Sequence, residues 1–243
     1  MKKKEFLSFH EISQNISFAI NNNLTNNPQN WPEEWKIVNY NKYPRFPLLK
    51  ATNNVSINNR LIDVLHERKS FQKNEKNVLL TSAELFTILK HSLGLKNDKK
   101  EFNQRVYPSA GARFPIECYL IINKMEEIQQ GLYHFDIVND GLNILLEKNL
   151  TDEITKIFGE KFKNSQVLLI LTSVIDRNYI KYGERAYRFS LIESGHAMQN
   201  ICLLSTALQI PMTPIGGFVD SKLIRLLDLE KEREFPIYCC AFL

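Results

Sequence analysis

The segment QVLLILTSV, residues 166–174, decides the fold class of this chain. It is a continuous apolar run between polar residues, which is typical of a central strand covered on both faces. IECYLIIN, residues 116–123, and FPIYCCAFL, residues 235–243, predict further strands. GLYHFDIVNDGLNILLE, residues 131–147, predicts two strands joined by a turn at Asn139-Asp140-Gly141.

Helical patterns stand between these strands. Thr81 and Glu84 have the spacing of a capping box, and a leucine stripe follows them. The segment 184–208 is helical in pattern and apolar almost all round in its second half, so we expect it to be buried. Its stripe comprises Tyr187, Leu191, Gly195, Met198 and Cys202. A further helix, DSKLIRLLDL, is predicted to be capped by Asp220.

The order of these elements mixes helices and strands without a strict βαβ alternation. It therefore predicts an α+β domain around an antiparallel or mixed sheet. The segment 1–59 contains WPEEW and YPRFP between Asn-rich stretches, and we interpret it as an arm with one short helix, packed on the body. The body is then residues 60–243. At 243 residues and 44% hydrophobic composition, one core is the simplest expectation.

Charge and cysteine usage exclude several classes of function. The net charge of +4 is dispersed, which argues against nucleic-acid binding, and no apolar run is long enough to span a membrane. The four cysteines lack the C-x-x-C spacing of zinc and redox sites, which suggests buried thiols and a cytoplasmic location. Glu193 and His196 do not form the HExxH pattern, so no metal site is predicted, and His196 is expected at a tight helix contact.

Two segments have residues suited to a phosphate or a flat ring. In HERKSF, Arg68, Lys69 and Ser70 could hold a phosphate by charge-assisted hydrogen bonds, although basic residues also occur at helix ends for the dipole alone. In RVYPSAGARFPIE, residues 105–117, the small residues let the backbone approach a ligand closely, but a simple turn before a strand is an alternative. The candidate residues of this turn are Pro108, Ser109, Ala110 and Gly111.

Two further segments carry candidate chemistry. PIGGF, residues 214–218, could place the bare backbone of Gly216 and Gly217 against a ring, or could be only a turn. In RNYIKYGERAYR, residues 177–188, Lys181 next to Tyr182 favours the phenolate form, so that the two could act as an acid/base pair. The alternative is a solvated basic start of the long helix, where cations would oppose the helix dipole.

Together these segments resemble a known family. WPEEWKIVNYNKYPRFP, ERKSF, YPSAGARFPIECYLI, KYGERAYRFSLIESGHAMQN and PIGGF follow one another as they do in the SagB-type (McbC-like) dehydrogenases of the nitroreductase superfamily, and the resemblance covers nearly the whole chain. It implies a nitroreductase-like α+β sandwich, bound FMN, and a homodimer with the long buried helix at its interface. It also implies oxidation of peptide thiazolines or oxazolines to thiazoles or oxazoles, with a cyclodehydratase complex or a carrier-bound peptide as partner.

The resemblance also assigns residues, motif by motif. It implies that Arg68 and Ser70 bind the FMN phosphate, with Lys69 beside them, and that Lys181 and Tyr182 are the pair associated with azoline oxidation. Our own hypothesis is that Tyr182 acts as the base while the flavin accepts the hydride. The segments expected against the two sides of the flavin are Pro108, Ser109, Ala110 and Gly111, and Pro214, Ile215, Gly216 and Gly217. Many relatives have a second arginine where this chain has Phe71 and Gln72, so other cations would have to complete the phosphate site.

Two other functions remain open at this stage. One is a general nitroreductase or quinone reductase that uses NAD(P)H. The other is a non-catalytic scaffold subunit of a peptide-modifying complex, for which FMN binding would be weak or absent.

Overall fold

One antiparallel sheet organises the computed structural model. The structure describes residues 8, 11–12, 40, 43–47, 55–73, 78–96 and 104–243. In the described residues from 40 onward it has seven strands and six α-helices. The strands are β1 Arg45–Pro47, β2 Ile116–Ile122, β3 Gly131–Asp136, β4 Gly141–Glu147, β5 Val167–Val174, β6 Met212–Ile215 and β7 Glu234–Phe242. The helices are α1 Leu61–Glu67, α2 Ser82–Leu93, α3 Thr151–Phe158, α4 Asp176–Tyr182, α5 Arg185–Ala207 and α6 Asp220–Leu227.

The strand order is β1-β4-β3-β2-β5-β7-β6, and all these neighbours pair antiparallel. β5 lies between β2 and β7, and all eight of its residues are buried. Its side chains alternate between two apolar clusters: Leu169 belongs to the one on one face of the sheet, and Leu168 and Ile170 to the one on the other. The predicted central strand and the α+β class are therefore confirmed, with an antiparallel rather than a mixed sheet.

Helices cover both faces of the sheet. α2 contributes Leu85 and Leu89 to the first cluster, where Ile201 of α5 also packs. α3 and α6 cover the other face through Ile154 and Leu223. The sheet is thus the middle layer of a three-layer sandwich, an arrangement that lets each amphipathic helix bury its apolar stripe.

Local sequence signals are confirmed at α2 but not at α6. The Thr81 side chain accepts a hydrogen bond from the Glu84 backbone, and the Glu84 carboxylate accepts one from the Thr81 backbone, which completes the capping box. The prediction for Asp220 is wrong: Val219 is the N-cap of α6, and Asp220 is its first helical residue. An acidic residue in the first turn still interacts favourably with the helix dipole.

The long helix α5 exposes most of the stripe predicted to be buried. Tyr187, Leu191 and Gly195 are exposed, whereas Ala186 and Ser190 are fully buried. We predicted that α5 is buried over most of its surface. Of the residues in the stripe, only Met198 and Cys202, at its C-terminal end, are buried. Small side chains allow close approach to the sheet, so packing selected the face with alanine and serine rather than the face with the largest apolar residues.

We expected the whole basic segment 177–188 to begin the long helix, but only its last part does so: Arg185 and Arg188 lie in the first turn of α5. Lys181 and Tyr182 end the short helix α4, and Gly183, with φ +55°, separates it from α5. A cation in the last turn of a helix complements the dipole rather than opposing it, so Lys181 needs no compensation there.

Part of the predicted N-terminal arm lies within the described residues. β1 pairs with β4, and the hydroxyls of Tyr40 and Tyr119 are hydrogen-bonded at 2.9 Å. Ser8, Glu11 and Ile12 of the arm are helical, whereas the WPEEW segment lies outside the described residues. The division into 1–59 and 60–243 stays a prediction. None of the described helices has the length and apolar character needed to cross a membrane.

Candidate functional site

The turn of small residues meets the Lys-Tyr pair. Residues 110–112 form a 3-10 turn in which Gly111 has φ +63°, a conformation that favours glycine. A β carbon at Gly111 would lie 2.6 Å from Tyr182 Oη, 3.4 Å from Lys181 Nζ and 3.5 Å from Arg113 Nε. The absence of a side chain at Gly111 therefore lets the Tyr182 hydroxyl lie against the turn.

Two cations surround the Tyr182 hydroxyl. Lys181 Nζ, Arg113 Nε and Tyr182 Oη all lie close to the position that a β carbon at Gly111 would occupy. Each of the two nitrogen atoms is therefore within about 6 Å of Tyr182 Oη. Arg113 is buried, and one of its Nη atoms donates to the Arg177 carbonyl at 3.3 Å. Burial lowers the pKa of Arg113, and Tyr182 opposes this effect. The site therefore places two positively charged side chains beside one hydroxyl group.

The position of the Tyr182 ring is fixed by packing as well as by helix α4. The ring is half-buried and lies edge-on to Phe189, with 4.9 Å between the centroids. The helix ends immediately after it, where the Gly183 amide donates to the Tyr179 carbonyl. Tyr182 therefore projects from a helix end rather than from a loop, which restricts the directions available to its hydroxyl.

Ser109 organises the turn from within. Its hydroxyl oxygen accepts the Phe114 amide at 2.8 Å, and its carbonyl accepts the Ala112 amide at 3.1 Å. Among the described residues, none accepts a hydrogen bond from the Gly111 amide. Pro108 is exposed beside the turn. The Gly111 amide is therefore a donor that a ligand could use.

Glu193 of α5 lies behind the same turn, and sequence reasoning considered it only as a metal ligand. Its side chain is buried, with 2% exposure. Burial raises the pKa of Glu193 to about 7, while the Ser109 hydroxyl, Arg105 and the Ala110 amide oppose this rise. His196 is exposed, contrary to the expectation of a tight helix contact.

A buried ionic network anchors helix α4 to the segment that follows the turn. Arg177 Nη2 lies 2.6 Å from a Glu117 oxygen, and Arg177 Nη1 donates to the Phe114 carbonyl at 2.8 Å. The other Glu117 oxygen bonds His134 at 2.9 Å. Burial alone would raise the pKa of Glu117, but Arg177, His134 and Arg105 lower it to about 2. The sequence signal for this network was a charged residue inside the apolar strand IECYLII.

The candidate phosphate segment lies beside β6. The Phe71 amide donates to the Met212 carbonyl at 3.1 Å, which places residues 68–71 next to the strand that contains Pro214 and Ile215. Arg68 is half-buried, and Lys69 and Ser70 are exposed. Burial raises the pKa of the Cys202 thiol on α5, and Arg68 opposes this effect, so its guanidinium lies near that end of α5.

The glycines after β6 face open space. A β carbon at Gly216 or Gly217 would meet no atom of the described residues within 4 Å, and both residues are exposed. These glycines differ from Gly111, since no contact within the described part of the chain requires them to lack a side chain. Their bare backbone remains available to a ligand.

The structure therefore gathers the candidate residues into two groups along α5. The turn with Lys181, Tyr182 and Glu193 lies toward its N-terminal half. Arg68 and Met212, the first residue of the strand that leads to 214–217, lie near Cys202. Glu193 and Cys202 are nine residues apart, or about 13 Å along a helix. An elongated ligand along α5 could contact both groups.

Comparison with known proteins identifies the family. The family model described as "Nitroreductase family" matches residues 65–242. The chain belongs to the nitroreductase family. A Methanocaldococcus jannaschii protein described as a nitroreductase is 27% identical over 180 residues, which cover 73% of this chain and 87% of that protein. The Escherichia coli microcin B17-processing protein McbC is 26% identical over 141 residues, which cover 55% of this chain and 52% of McbC.

Solved structures of other nitroreductase-like chains agree with this fold. A chain of the E. coli microcin synthetase McbBCD complex, solved with truncated pro-MccB17 bound, has a TM-score of 0.62 at 20% identity, covering 98% of this chain and 91% of that chain. A Desulfovibrio desulfuricans protein in complex with FMN has a TM-score of 0.52 at 14% identity, covering 75% and 84% of the respective chains. The nitroreductase-like α+β fold implied by the resemblance is confirmed.

Proposed function

We propose that this nitroreductase-family protein is an FMN-dependent dehydrogenase that oxidises thiazoline or oxazoline rings in a peptide to thiazoles or oxazoles. The observation that carries the proposal is the approach of Tyr182 and Lys181 to the turn at Gly111, within the segment assigned to the flavin. The similarity to McbC and to the microcin synthetase complex supports a peptide substrate. In this function a cyclodehydratase would supply the azoline rings, in a complex or through a carrier-bound peptide.

The residues present fit FMN in their chemistry. Arg68, Lys69 and Ser70 offer two cations and a hydroxyl to the phosphate. They precede Phe71, whose amide bonds β6, the strand that leads to the bare backbone of Gly216 and Gly217. Pro108, Ser109, Ala110 and Gly111 would contact the isoalloxazine, as would Pro214 and Ile215. When bound, FMN supplies a two-electron acceptor for hydride.

The residues around Gly111 would accept the proton that the azoline ring loses. Aromatising an azoline removes a hydride from one ring carbon and a proton from its neighbour, so the site needs a base beside the electron acceptor. In this proposal Tyr182 is that base and accepts the proton at Oη, with Lys181 and Arg113 beside it. Phe189 holds the phenol ring in place while it does so.

A homodimer is part of the proposal. Helices α1 and α5 expose large apolar side chains, among them Leu61 at 67% and Ile192 at 51% exposure. These two helices also pack against each other, so their apolar faces belong to one region of the surface. Such a surface is unusual in a monomer and is of the kind that a second copy of the chain would bury.

The first test is cofactor content. The purified protein should absorb visible light and release FMN, identified by its mass, at about one equivalent per chain if each chain completes one site. A protein that stays colourless after FMN is added would refute the flavin part of the proposal and favour the scaffold function.

The second test is the reaction itself. An azoline-bearing peptide incubated with the holoprotein in air should lose the mass of two hydrogens per ring oxidised. Tyr182→Phe should abolish this loss with FMN retained, whereas Tyr179→Phe, an exposed tyrosine of the same helix, should not. Full activity in Tyr182→Phe would refute its role as the base. Reduction of the flavin by NAD(P)H without any azoline oxidation would favour a general nitroreductase.

A further inference from the structure

Glu193 is a buried carboxyl group without an ordinary hydrogen-bond partner. It lies on α5 with both side-chain oxygens inaccessible, and neither makes a hydrogen bond of normal geometry to the described residues. The Ser109 hydroxyl and the Ala110 amide are nevertheless close enough to lower its pKa. Burying a carboxyl group without a hydrogen-bond partner costs free energy. A functional role for Glu193 would explain why the fold retains it next to this turn.

Glu193 shares its neighbouring cations with Glu117. Arg177 of α4 pairs with Glu117 of β2 at 2.6 Å, and His134 of β3 bonds the same carboxylate. Arg105, before the turn, donates through Nη1 to the Tyr107 hydroxyl and to the Ile116 carbonyl. Arg105 and Arg177 both oppose the rise in the pKa of Glu193, together with the Ser109 and Ala110 donors.

Those two donors belong to the turn that lies against Tyr182. Ser109 Oγ already accepts the Phe114 amide, so its proton is the part of the hydroxyl left for Glu193. Ala110 begins the 3-10 turn, and its amide is one of the groups left without an intrahelical partner. The ionisation state of Glu193 thus decides whether its carboxylate accepts hydrogen bonds from the Ser109 hydroxyl and the Ala110 amide.

We propose that Glu193 is a positioning residue that controls ligand binding by this turn. When ionised, its carboxylate accepts the Ser109 O–H and the Ala110 N–H and withdraws both from a ligand. When protonated, it releases them, and the turn binds flavin more tightly. The inference rests on the proposed function, because it takes FMN as the ligand of the turn.

The size of the effect follows from the proton linkage. With a pKa of about 7 for Glu193, nearly all chains are protonated at pH 6 and only a small fraction at pH 8. If only the protonated form binds fully, the apparent Kd for FMN rises about tenfold between these pH values. The phosphate of FMN titrates near the lower end of this range, but it does so with every variant and cancels in the comparison.

The test compares wild type with Glu193→Gln and with Glu234→Gln, which changes a half-buried carboxyl group that bonds Thr172 and Tyr119 instead. FMN is titrated into each apoprotein at pH 6 and pH 8, with quenching of flavin fluorescence as the readout. The ratio of the Kd at pH 8 to the Kd at pH 6 should be about tenfold larger in wild type and in Glu234→Gln than in Glu193→Gln, which keeps only the pH dependence of the FMN phosphate. The same pH dependence in Glu193→Gln would overturn the inference.

A readout without flavin separates this inference from the proposed function. In ligand-free wild type, the Ala110 amide resonance should shift between pH 6 and pH 8, and it should not do so in Glu193→Gln. An Ala110 resonance that stays constant in wild type overturns the inference, whether or not the variant folds. A resonance that shifts in a protein that binds no FMN at either pH supports the link from Glu193 to Ala110 and refutes the proposed function instead.

Discussion

The Tyr182 hydroxyl occupies the space that a side chain at position 111 would fill. A β carbon on Gly111 would lie 2.6 Å from Tyr182 Oη, closer than non-bonded carbon and oxygen atoms approach. The turn and the end of helix α4 can therefore be in contact only because position 111 has no β carbon. This contact couples the segment proposed for flavin binding to the proposed base.

Gly111→Ala should displace Tyr182 and abolish most azoline oxidation. The new methyl group also strains a left-handed residue, at a cost of about 1–2 kcal/mol in the free energy of unfolding. Loss of a positioned base is worth roughly 10²-fold or more in rate. Gly159→Ala is the matched control: Gly159 has φ +94°, but a β carbon there meets no atom within 4 Å, so stability should fall with the rate unchanged. Equal rates in both variants would contradict the coupling.

Arg68→Gln should weaken FMN binding and leave riboflavin binding unchanged. A hydrogen bond to a charged group contributes about 1.5–3 kcal/mol, so the Kd for FMN should rise by roughly 10- to 100-fold. Riboflavin lacks the phosphate and reports any indirect damage to the ring site. Arg60→Gln, at the exposed N-cap of the same helix, is the control and should change neither affinity. An equal loss for both ligands would place Arg68 away from the phosphate.

Glu117→Gln should destabilise the fold severely. The change leaves Arg177 buried without its counter-charge, and removal of one partner of a buried pair costs about 3–5 kcal/mol. Urea denaturation followed by circular dichroism measures the loss. Glu230→Gln removes one partner of an exposed pair with Arg233 and should leave the midpoint unchanged. Similar midpoints in the two variants would show that the network does not anchor α4.

The same carboxylate predicts a specific loss of stability in acid. The pKa of Glu117 is lowered to about 2 in the folded chain from the usual 4.5, so the folded state binds fewer protons than the unfolded state in this range. Its contribution is present above pH 4.5 and disappears as the pH falls toward 2, with a total of roughly 3 kcal/mol. The difference in unfolding free energy between wild type and Glu117→Gln should therefore narrow between pH 5 and pH 2. A constant difference would argue against ionised Glu117 as its source.

Ile192→Asp should convert the proposed dimer into a monomer. The residue is exposed on α5, and a charge there would be buried by a partner covering this face. Sedimentation equilibrium measures the mass of the species. Val138→Asp, an exposed apolar residue at the β3–β4 turn, should leave the mass unchanged. A wild-type chain that sediments as a monomer would refute the dimer.

Local patterns in the sequence predicted the elements that depend on near neighbours. The capping box at Thr81, the central strand at 166–174 and the turn at Asn139-Asp140-Gly141 were all predicted and confirmed. The helix cap at Asp220 was misplaced, because several residues near a helix start can satisfy the same pattern. The break at Gly183 was missed, since α4 and α5 are both helical and only a change of direction separates them.

By itself, the sequence determined the α+β class, the central strand and the candidate residues from 68 to 217, because hydrophobic period, turn chemistry and motif order are properties of the chain. Only the tertiary structure decided that Gly111 touches Tyr182, that Arg113 joins Lys181 beside it, and that Glu193 lies buried behind the turn. It also decided which face of α5 is buried. Contacts between distant segments depend on which faces pack together, and burial then sets the ionisation of the groups enclosed. Neither can be worked out from neighbours along the chain.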